Sequence, residues 1–172
     1  MIGQQPTLLG EPNGRMTTRL QDIKAAFEGA GFHVDVTSRI DAWLKTHAVF
    51  VTCMESAIYR SGGDNRRLAD SQSGLLEMVV GVREGFRALQ ALGIPVVPFK
   101  LKVMFLWMPK SYPLRYWRGA LRAKLGEYSL AAHTNASTGE VRELVGEVRA
   151  LVRSSSSVPT PAMDRLFSWV EQ

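Results

Sequence analysis

The sequence contains a single cysteine, Cys53, among its 172 residues. An intrachain disulfide is therefore impossible, and a zinc site built from several cysteines is excluded. No stretch approaches the roughly 18 consecutive apolar residues that a membrane-spanning helix needs. The first residues include Gln4, Gln5 and Pro6 and lack the apolar core of a signal peptide. These absences predict a cytoplasmic protein without disulfides and without a membrane partner.

Established catalytic and nucleotide-binding motifs are also absent. The chain has no G-x-x-x-x-G-K-[ST], H-E-x-x-H, G-x-S-x-G or G-x-G-x-x-G segment. Its three histidines, His33, His47 and His133, are far apart in sequence, which disfavours a metal site. His47 falls on an apolar helical stripe, and that position predicts a core or cleft histidine.

Acidic residues are missing from one long segment. The chain has 21 Lys and Arg against 16 Asp and Glu, a net charge of +5, but nothing acidic lies between Glu84 and Glu127. Basic and aromatic residues alternate there, namely Arg87, Lys100, Lys102, Phe105, Trp107, Lys110, Tyr112, Arg115, Tyr116, Trp117, Arg118, Arg122 and Lys124. Such a mixture suits phosphates and stacked bases, but it equally fits an aromatic core with a solvated basic rim. No nucleic-acid motif accompanies it, so we favour the second interpretation and expect no nucleic-acid partner.

The residues that are present are typical of one globular domain, spanning 1–172. The composition is 45% hydrophobic and 22% charged, which permits a sizeable core. The apolar run Thr7 to Leu9 and the turn residues Glu11 to Gly14 predict a strand followed by a turn. Alternation over Phe32 to Val36 predicts a second short extended segment.

Helical periodicity dominates the rest of the chain and predicts a mainly α fold. The stripe Leu20, Ile23, Phe27 and Ala30 predicts a helix capped by Thr17 or Thr18 and ended by Gly31. Longer helices are predicted from Asp41 to Arg60, ended by Gly62 and Gly63, and from Asn65 to Leu92. Further helices are predicted after Pro98, from Leu114 to Leu125, from Thr138 to Val152 and after Pro161, with a loop from Gly126 to Ser137.

Several local features follow one another in a recognisable order. They are Gly10-Glu11-Pro12-Asn13-Gly14 with Arg19, Ile40-Asp41-Ala42-Trp43-Leu44-Lys45, Arg83-Glu84-Gly85, Leu92-Gly93-Ile94-Pro95, Glu140-Val141 with Gly146, and Pro159-Thr160-Pro161. In this order and spacing the chain resembles, over nearly its whole length, the C-terminal domain of ketopantoate reductases, the NADPH-dependent 2-dehydropantoate 2-reductases.

The resemblance implies a fold and a cofactor. The fold would be a helical domain like the C-terminal domain of 6-phosphogluconate dehydrogenase, closing a cleft over NADPH and an α-keto acid. Residues 1–14 would be the last strand and turn of a nucleotide-binding domain, and no Rossmann domain is expected in this sequence. NADPH is therefore expected only where such a domain is supplied, in the same protein or by a separate chain.

The resemblance also implies roles for individual residues. Lys45 matches the catalytic lysine, which stabilises or protonates the alkoxide that forms at the keto carbon. Glu140 matches the glutamate that positions the lysine or the substrate hydroxyl. Ser129 is the nearest match to a serine that contacts the substrate carboxylate, and His47 and His133 are further candidates for substrate binding. Without the resemblance, Lys45, Glu140 and Ser129 are an ordinary helix lysine, first-turn glutamate and loop serine.

At two positions the sequence differs from the family, and this difference bears on the substrate and on whether the protein is an enzyme. Asparagines are typical four and eight residues after the lysine, and here those positions are Val49 and Cys53. The substrate is therefore predicted to be a keto acid other than ketopantoate. The alternative is a non-enzymatic helical dimerisation or protein-binding module. A homodimer is expected in either case, with Phe99 to Met108 or the helix from Asn65 to Leu92 in the contact.

Overall fold

The computed structural model describes residues 6–123, 138–154 and 158–171 and is mainly helical, as the periodicity predicts. The chain divides into two compact units, Met1–Leu44 and Lys45–Gln172. Of the helices in these described ranges, none combines the length and the apolar composition needed to cross a lipid bilayer.

The first unit contains a strand, a helix and a second strand. Strand β1 (Thr7–Leu9) is followed by α1 (Thr18–Gly29), β2 (Val34–Val36) and the start of α2 (Ile40–Arg60). The two strands are parallel, with Thr7 opposite Val34 and Leu9 opposite Val36. Parallel neighbours cannot be joined by a tight hairpin, and α1 provides the crossover.

Local side-chain signals explain the ends of α1. The Thr17 hydroxyl accepts a hydrogen bond from the Leu20 amide at 3.2 Å and caps the N-terminus. After the last turn, Gly31 has a φ of +88°, a left-handed conformation that favours glycine. The sequence predicts both features, and the structure confirms them.

The apolar stripe of α1 is only partly covered within its unit. Leu20 is buried, but Ile23 is 40% exposed and Phe27 is 38% exposed. Phe32 is 56% exposed, and its ring centroid lies 5.7 Å from that of Phe27. The strand-helix-strand unit therefore leaves part of the apolar surface of α1 exposed.

The second unit is helical in its described residues. Its elements after α2 are α3 (Asn65–Asp70), α4 (Gln72–Ala91), α5 (Phe99–Lys102), a π-helical segment (Val103–Trp107), α6 (Ser111–Arg122), α7 (Thr138–Arg153) and α8 (Pro161–Phe167). The core includes Val49, Met54 and Ile58 of α2, Leu75, Val79, Phe86 and Leu89 of α4, Phe105, Leu121 of α6, Val145 and Val148 of α7, and Met163, Leu166 and Phe167 of α8.

The single helix predicted from Asn65 to Leu92 is wrong. The structure contains two helices, α3 and α4, which are separated at Ser71. Ser71 adopts an extended conformation, and its hydroxyl accepts a hydrogen bond from the Gly74 amide at 3.1 Å. A serine side chain that caps the second helix competes with continuation of the first, which explains the break.

Glycine and proline lie at two further helix boundaries, the end of α2 and the start of α6. Gly62 and Gly63 follow the end of α2 with φ angles of +75° and +74°, as expected for a glycine stop. Helix α6 begins at Ser111, before Pro113 and three residues before the predicted start at Leu114. Proline is tolerated in the first turn because amides there have no partner within the helix. The predicted loop from Gly126 to Ser137 lies outside the described residues.

Candidate functional site

The turn that opens the family resemblance is held by an ion pair. The buried Glu11 carboxylate accepts hydrogen bonds from the Thr17 hydroxyl at 2.6 Å and from the Arg19 guanidinium at 2.5 and 3.2 Å. These bonds, from Arg19 first and then from Thr17, lower the pKa of Glu11. A Cβ on Gly10 would lie 2.5 Å from the Thr37 carbonyl oxygen, so this position excludes a side chain. The Gly-Glu turn with its arginine therefore has a structural role.

The same turn bears on cofactor binding. In a Rossmann unit, the turn after the first strand binds the dinucleotide pyrophosphate. Here the turn after β1 holds the Glu11 carboxylate, which Arg19 pairs, and it lacks the glycine-rich G-x-G-x-x-G sequence of such a turn. This turn therefore lacks the glycine-rich sequence that binds a dinucleotide pyrophosphate in a Rossmann unit.

Lys45, the candidate catalytic lysine, is partly buried on α2. Its neighbour Thr46 is fully buried, and the Thr46 hydroxyl accepts a hydrogen bond from the Val97 amide at 3.2 Å. This bond joins α2 to the segment before α5. The helix backbone next to Lys45 is thus anchored to the segment before α5, which favours a positioned cation.

Val49 and Cys53 are part of the hydrophobic core. Both are fully buried, and they pack against two glycines of α4. A Cβ on Gly85 would lie 2.5 Å from Val49 Cγ1, and a Cβ on Gly81 would lie 3.5 Å from the Cys53 Sγ. These glycines therefore permit close contact of α2 with α4.

The burial of Cys53 also determines its chemistry. Burial, together with the nearby negative charge of Glu84, raises the pKa of the Cys53 thiol. A thiol that stays protonated is a poor nucleophile and a poor metal ligand. Cys53 therefore acts as a small apolar residue in the interface between α2 and α4.

The sequence predicts a core or cleft position for His47, and the structure contradicts the core position. The His47 ring is exposed, whereas the buried face of α2 in the second unit includes Thr46, Val49, Cys53 and Ala57. The buried face of α2 therefore runs beside the predicted stripe that included His47. Partial desolvation by surrounding atoms lowers the pKa of His47.

The remaining candidates are not assembled around Lys45 by the described residues. Glu140 is exposed in the first turn of α7, and among the described residues it has neither a hydrogen bond nor an ion pair. The structure therefore does not pair Glu140 with Lys45. Ser129 and His133 lie outside the described residues.

Glu84 is a functional candidate that sequence reasoning used only as part of a motif. Its Oε2 accepts hydrogen bonds from the Ala162 amide at 2.8 Å and from the Met163 amide at 3.0 Å. The carboxylate thus binds two amides in the first turn of α8, which have no acceptor within that helix. Glu84 also lines a cavity of about 410 Å³, together with Arg87, Val158, Pro159 and Pro161. Pro161 at the helix start is the sequence signal that could have indicated the contact.

Replacing Glu84 by glutamine tests the electrostatics of this contact. Partial burial is the main cause that raises the pKa of Glu84 above 4.5. The folded state then holds the Glu84 proton more tightly than the unfolded state does. The free energy of unfolding therefore falls as the pH rises from 4.5 through the raised pKa. Relative to Glu84→Gln, the wild-type chain should become less stable over this window in urea unfolding.

The variant Glu11→Gln is the control, and its expected pH dependence of stability has the opposite sign. Because the Glu11 pKa is lowered, the wild-type carboxylate stabilises the fold above its ordinary pKa of 4.5, and this stability is lost as the pH falls through the folded value. A wild-type chain that gains stability over Glu84→Gln as the pH rises would contradict the raised Glu84 pKa.

Among the residues that the structure describes, no three His, Cys, Asp or Glu side chains group closely enough to hold a metal ion. Comparisons with protein-family models, with curated proteins and with solved structures found no match to this chain. The family resemblance therefore rests on the sequence features and remains a prediction.

Proposed function

We propose that this chain is the helical, substrate-binding part of a ketopantoate-reductase-like oxidoreductase that acts on an α-keto acid. Its fold would be the one found in the C-terminal domain of 6-phosphogluconate dehydrogenase. NADPH binding is assigned to a separate nucleotide-binding domain, because this sequence has no glycine-rich pyrophosphate-binding turn.

The parallel pairing of β1 with β2 is the main observation that supports the proposal. Parallel strands with a helical crossover belong almost always to larger sheets covered on both faces, and two strands alone are marginally stable. The exposed Ile23 and Phe27 of α1 are apolar surface that a larger α/β sheet would cover. A nucleotide-binding domain contains such a sheet.

Lys45 has the chemistry that the proposed reaction requires. An ammonium group near the keto oxygen stabilises the negative charge that develops there and can donate a proton to it. The partly buried position of Lys45 and the Thr46 hydrogen bond to Val97 favour a fixed orientation of the helix at this point. Glu140, Ser129, His47 and His133 remain the proposed contacts of the substrate.

Val49 and Cys53 occupy the positions of the family's asparagines, so the proposed site lacks those amides. Neither side chain can replace an amide that would bind a substrate hydroxyl, and both already pack against α4. A keto acid with an apolar side chain is therefore favoured over ketopantoate. Trimethylpyruvate, which is ketopantoate without its hydroxyl, is the matched probe.

Calorimetric titration of the full chain tests the proposal. We expect trimethylpyruvate to bind more tightly than ketopantoate, and Lys45→Ala to weaken binding at least about tenfold, because a hydrogen bond to a charged group contributes about 1.5–3 kcal/mol. Lys110→Ala, which removes an exposed lysine elsewhere, is the control and should leave binding unchanged. Binding that survives Lys45→Ala, or no binding of either keto acid, would contradict the proposal.

The exposed apolar residues of the first unit favour a second candidate function. Ile23, Phe27 and Phe32 form an uncovered apolar group within that unit, which suits a helical dimerisation or protein-binding module. In this case, neither keto acid binds, and light scattering gives a mass above the 19.1 kDa of one chain. Replacing Phe27 by serine should then restore the monomer mass.

A further inference from the structure

A group of exposed aromatic side chains lies on α5, the π-helical segment and α6. Phe99 is 63% exposed, Trp107 is 60%, Tyr112 is 48% and Tyr116 is 50%. Side chains of this size are usually buried, so several in one short segment indicate a surface with a function. We define the aromatic-basic surface as these four residues with the interspersed Lys100, Lys102, Lys110 and Arg115.

Contacts with the core anchor the segment that carries the aromatic-basic surface. Beneath it, the buried Phe105 packs against Phe50 and Phe86, with centroid distances of 5.9 and 5.7 Å. The Arg83 guanidinium donates a hydrogen bond to the Met108 carbonyl and joins α4 to the end of the π-helical segment. The exposed rings are therefore presented by an ordered part of the core.

The charges of this surface are of one sign. Lys100, Lys110 and Arg115 are exposed, and no ion pair with a described residue neutralises them. Two other basic residues of α6 are engaged within the fold, since Arg122 pairs with Asp70 and Arg118 donates to the Ala69 carbonyl. The cations that no described residue pairs thus lie in the same segment as the exposed rings and favour an anionic partner.

The arrangement of the rings distinguishes between anionic partners. Phe99 and Trp107 pack edge to face at 5.4 Å, and the Lys102 ammonium lies 5.4 Å from the Trp107 ring centre. Tyr116 packs perpendicular to Trp117 at 5.2 Å. Stacking of nucleic-acid bases needs open ring faces, which these contacts reduce. A second copy of the chain is disfavoured because a two-fold contact would bring like charges together.

We propose that the aromatic-basic surface binds an anionic lipid bilayer in its interfacial layer. Tryptophan and tyrosine favour the boundary between headgroups and acyl chains, since their rings are apolar but carry a polar group. Lysine and arginine beside them contact the headgroup phosphates and carboxylates. This binding is peripheral and independent of the proposed keto acid reaction.

Sedimentation with vesicles tests the proposal on the full chain. We expect binding to vesicles of phosphatidylcholine mixed with phosphatidylserine, weak binding to pure phosphatidylcholine, and release at high salt. The double variant Lys110→Glu with Arg115→Glu should bind at least about tenfold more weakly. The control, Arg15→Glu with Arg39→Glu, makes the same change in net charge at exposed positions outside the surface and should bind as the wild type does.

Phe99→Ser with Trp107→Ser tests the aromatic contribution, and circular dichroism verifies that each variant is folded. Loss of vesicle binding in both surface variants, with binding retained in the control, supports the proposal. Equal loss in the control would show a nonspecific charge effect and overturn it. Two other results would also overturn it: salt-dependent binding of single-stranded oligonucleotides without vesicle binding, or a dimer that Lys110→Glu with Arg115→Glu dissociates.

Discussion

Replacing Phe105 by alanine is expected to lower the free energy of unfolding by about 3–5 kcal/mol. Phe105 is fully buried in the π-helical segment, and its ring contacts Phe50 of α2 and Phe86 of α4. Alanine would leave a cavity where three elements meet, and the surrounding backbone can close it only in part. Urea unfolding followed by tryptophan fluorescence measures the change.

Phe99→Ala is the matched control for this substitution. Phe99 lies in the neighbouring helix α5 but is 63% exposed, with its main aromatic contact to Trp107. Its loss should change the free energy of unfolding by less than about 1 kcal/mol. Similar values for the two variants would contradict the burial of Phe105 between α2 and α4.

Replacing Gly85 by alanine is expected to destabilise the fold by about 1–3 kcal/mol. Alanine has a higher helix propensity than glycine, by about 1 kcal/mol, so the same substitution at an unhindered helix position would stabilise the fold. The new Cβ would lie 2.5 Å from Val49 Cγ1 and 3.3 Å from the Met163 Cε. Valine in a helix has one preferred rotamer, and Val49 therefore cannot move away at low cost.

Gly146→Ala is the control with the same substitution. Gly146 lies in α7, is exposed, and has no atom within 4 Å of the position that a Cβ would occupy. Gly146→Ala should stabilise the fold by up to about 1 kcal/mol.

The double variant Val49→Ala with Gly85→Ala should lose less stability than the sum of the two single variants, because the smaller side chain at position 49 accommodates the new methyl group. A stabilising Gly85→Ala would show that α2 and α4 are not in close contact.

Local patterns were sufficient for most of the elements. The strand from Thr7 to Leu9, the cap at Thr17 and the stop at Gly62 each depend on residues within one or two turns, and all three appear as expected. The break at Ser71 was missed for a similar local reason. A serine that can cap one helix can also lie inside a longer one, and the sequence pattern fits both.

The candidate site was less accessible to sequence reasoning. The sequence nominated Lys45 and Glu140 through a resemblance, but their surroundings depend on which helices meet. Val49 and His47 show the difficulty most clearly. The stripe through His47 predicted its burial, whereas the structure buries Val49 and exposes His47, because α4 approaches α2 where Gly81 and Gly85 allow it. These glycines are more than 25 residues from Cys53 in the sequence.

The sequence by itself determined the mainly helical class, the short strands and the segment that lacks acidic residues. These follow from the spacing of apolar residues, from capping side chains and from composition, which are properties of neighbours along the chain. Only the tertiary structure decided that β1 and β2 pair in parallel, that Glu84 binds the start of α8, and that Phe99 and Trp107 stay exposed while Phe105 is buried. Each of these depends on contacts between distant segments, and their free energy is set by packing geometry that no local pattern contains.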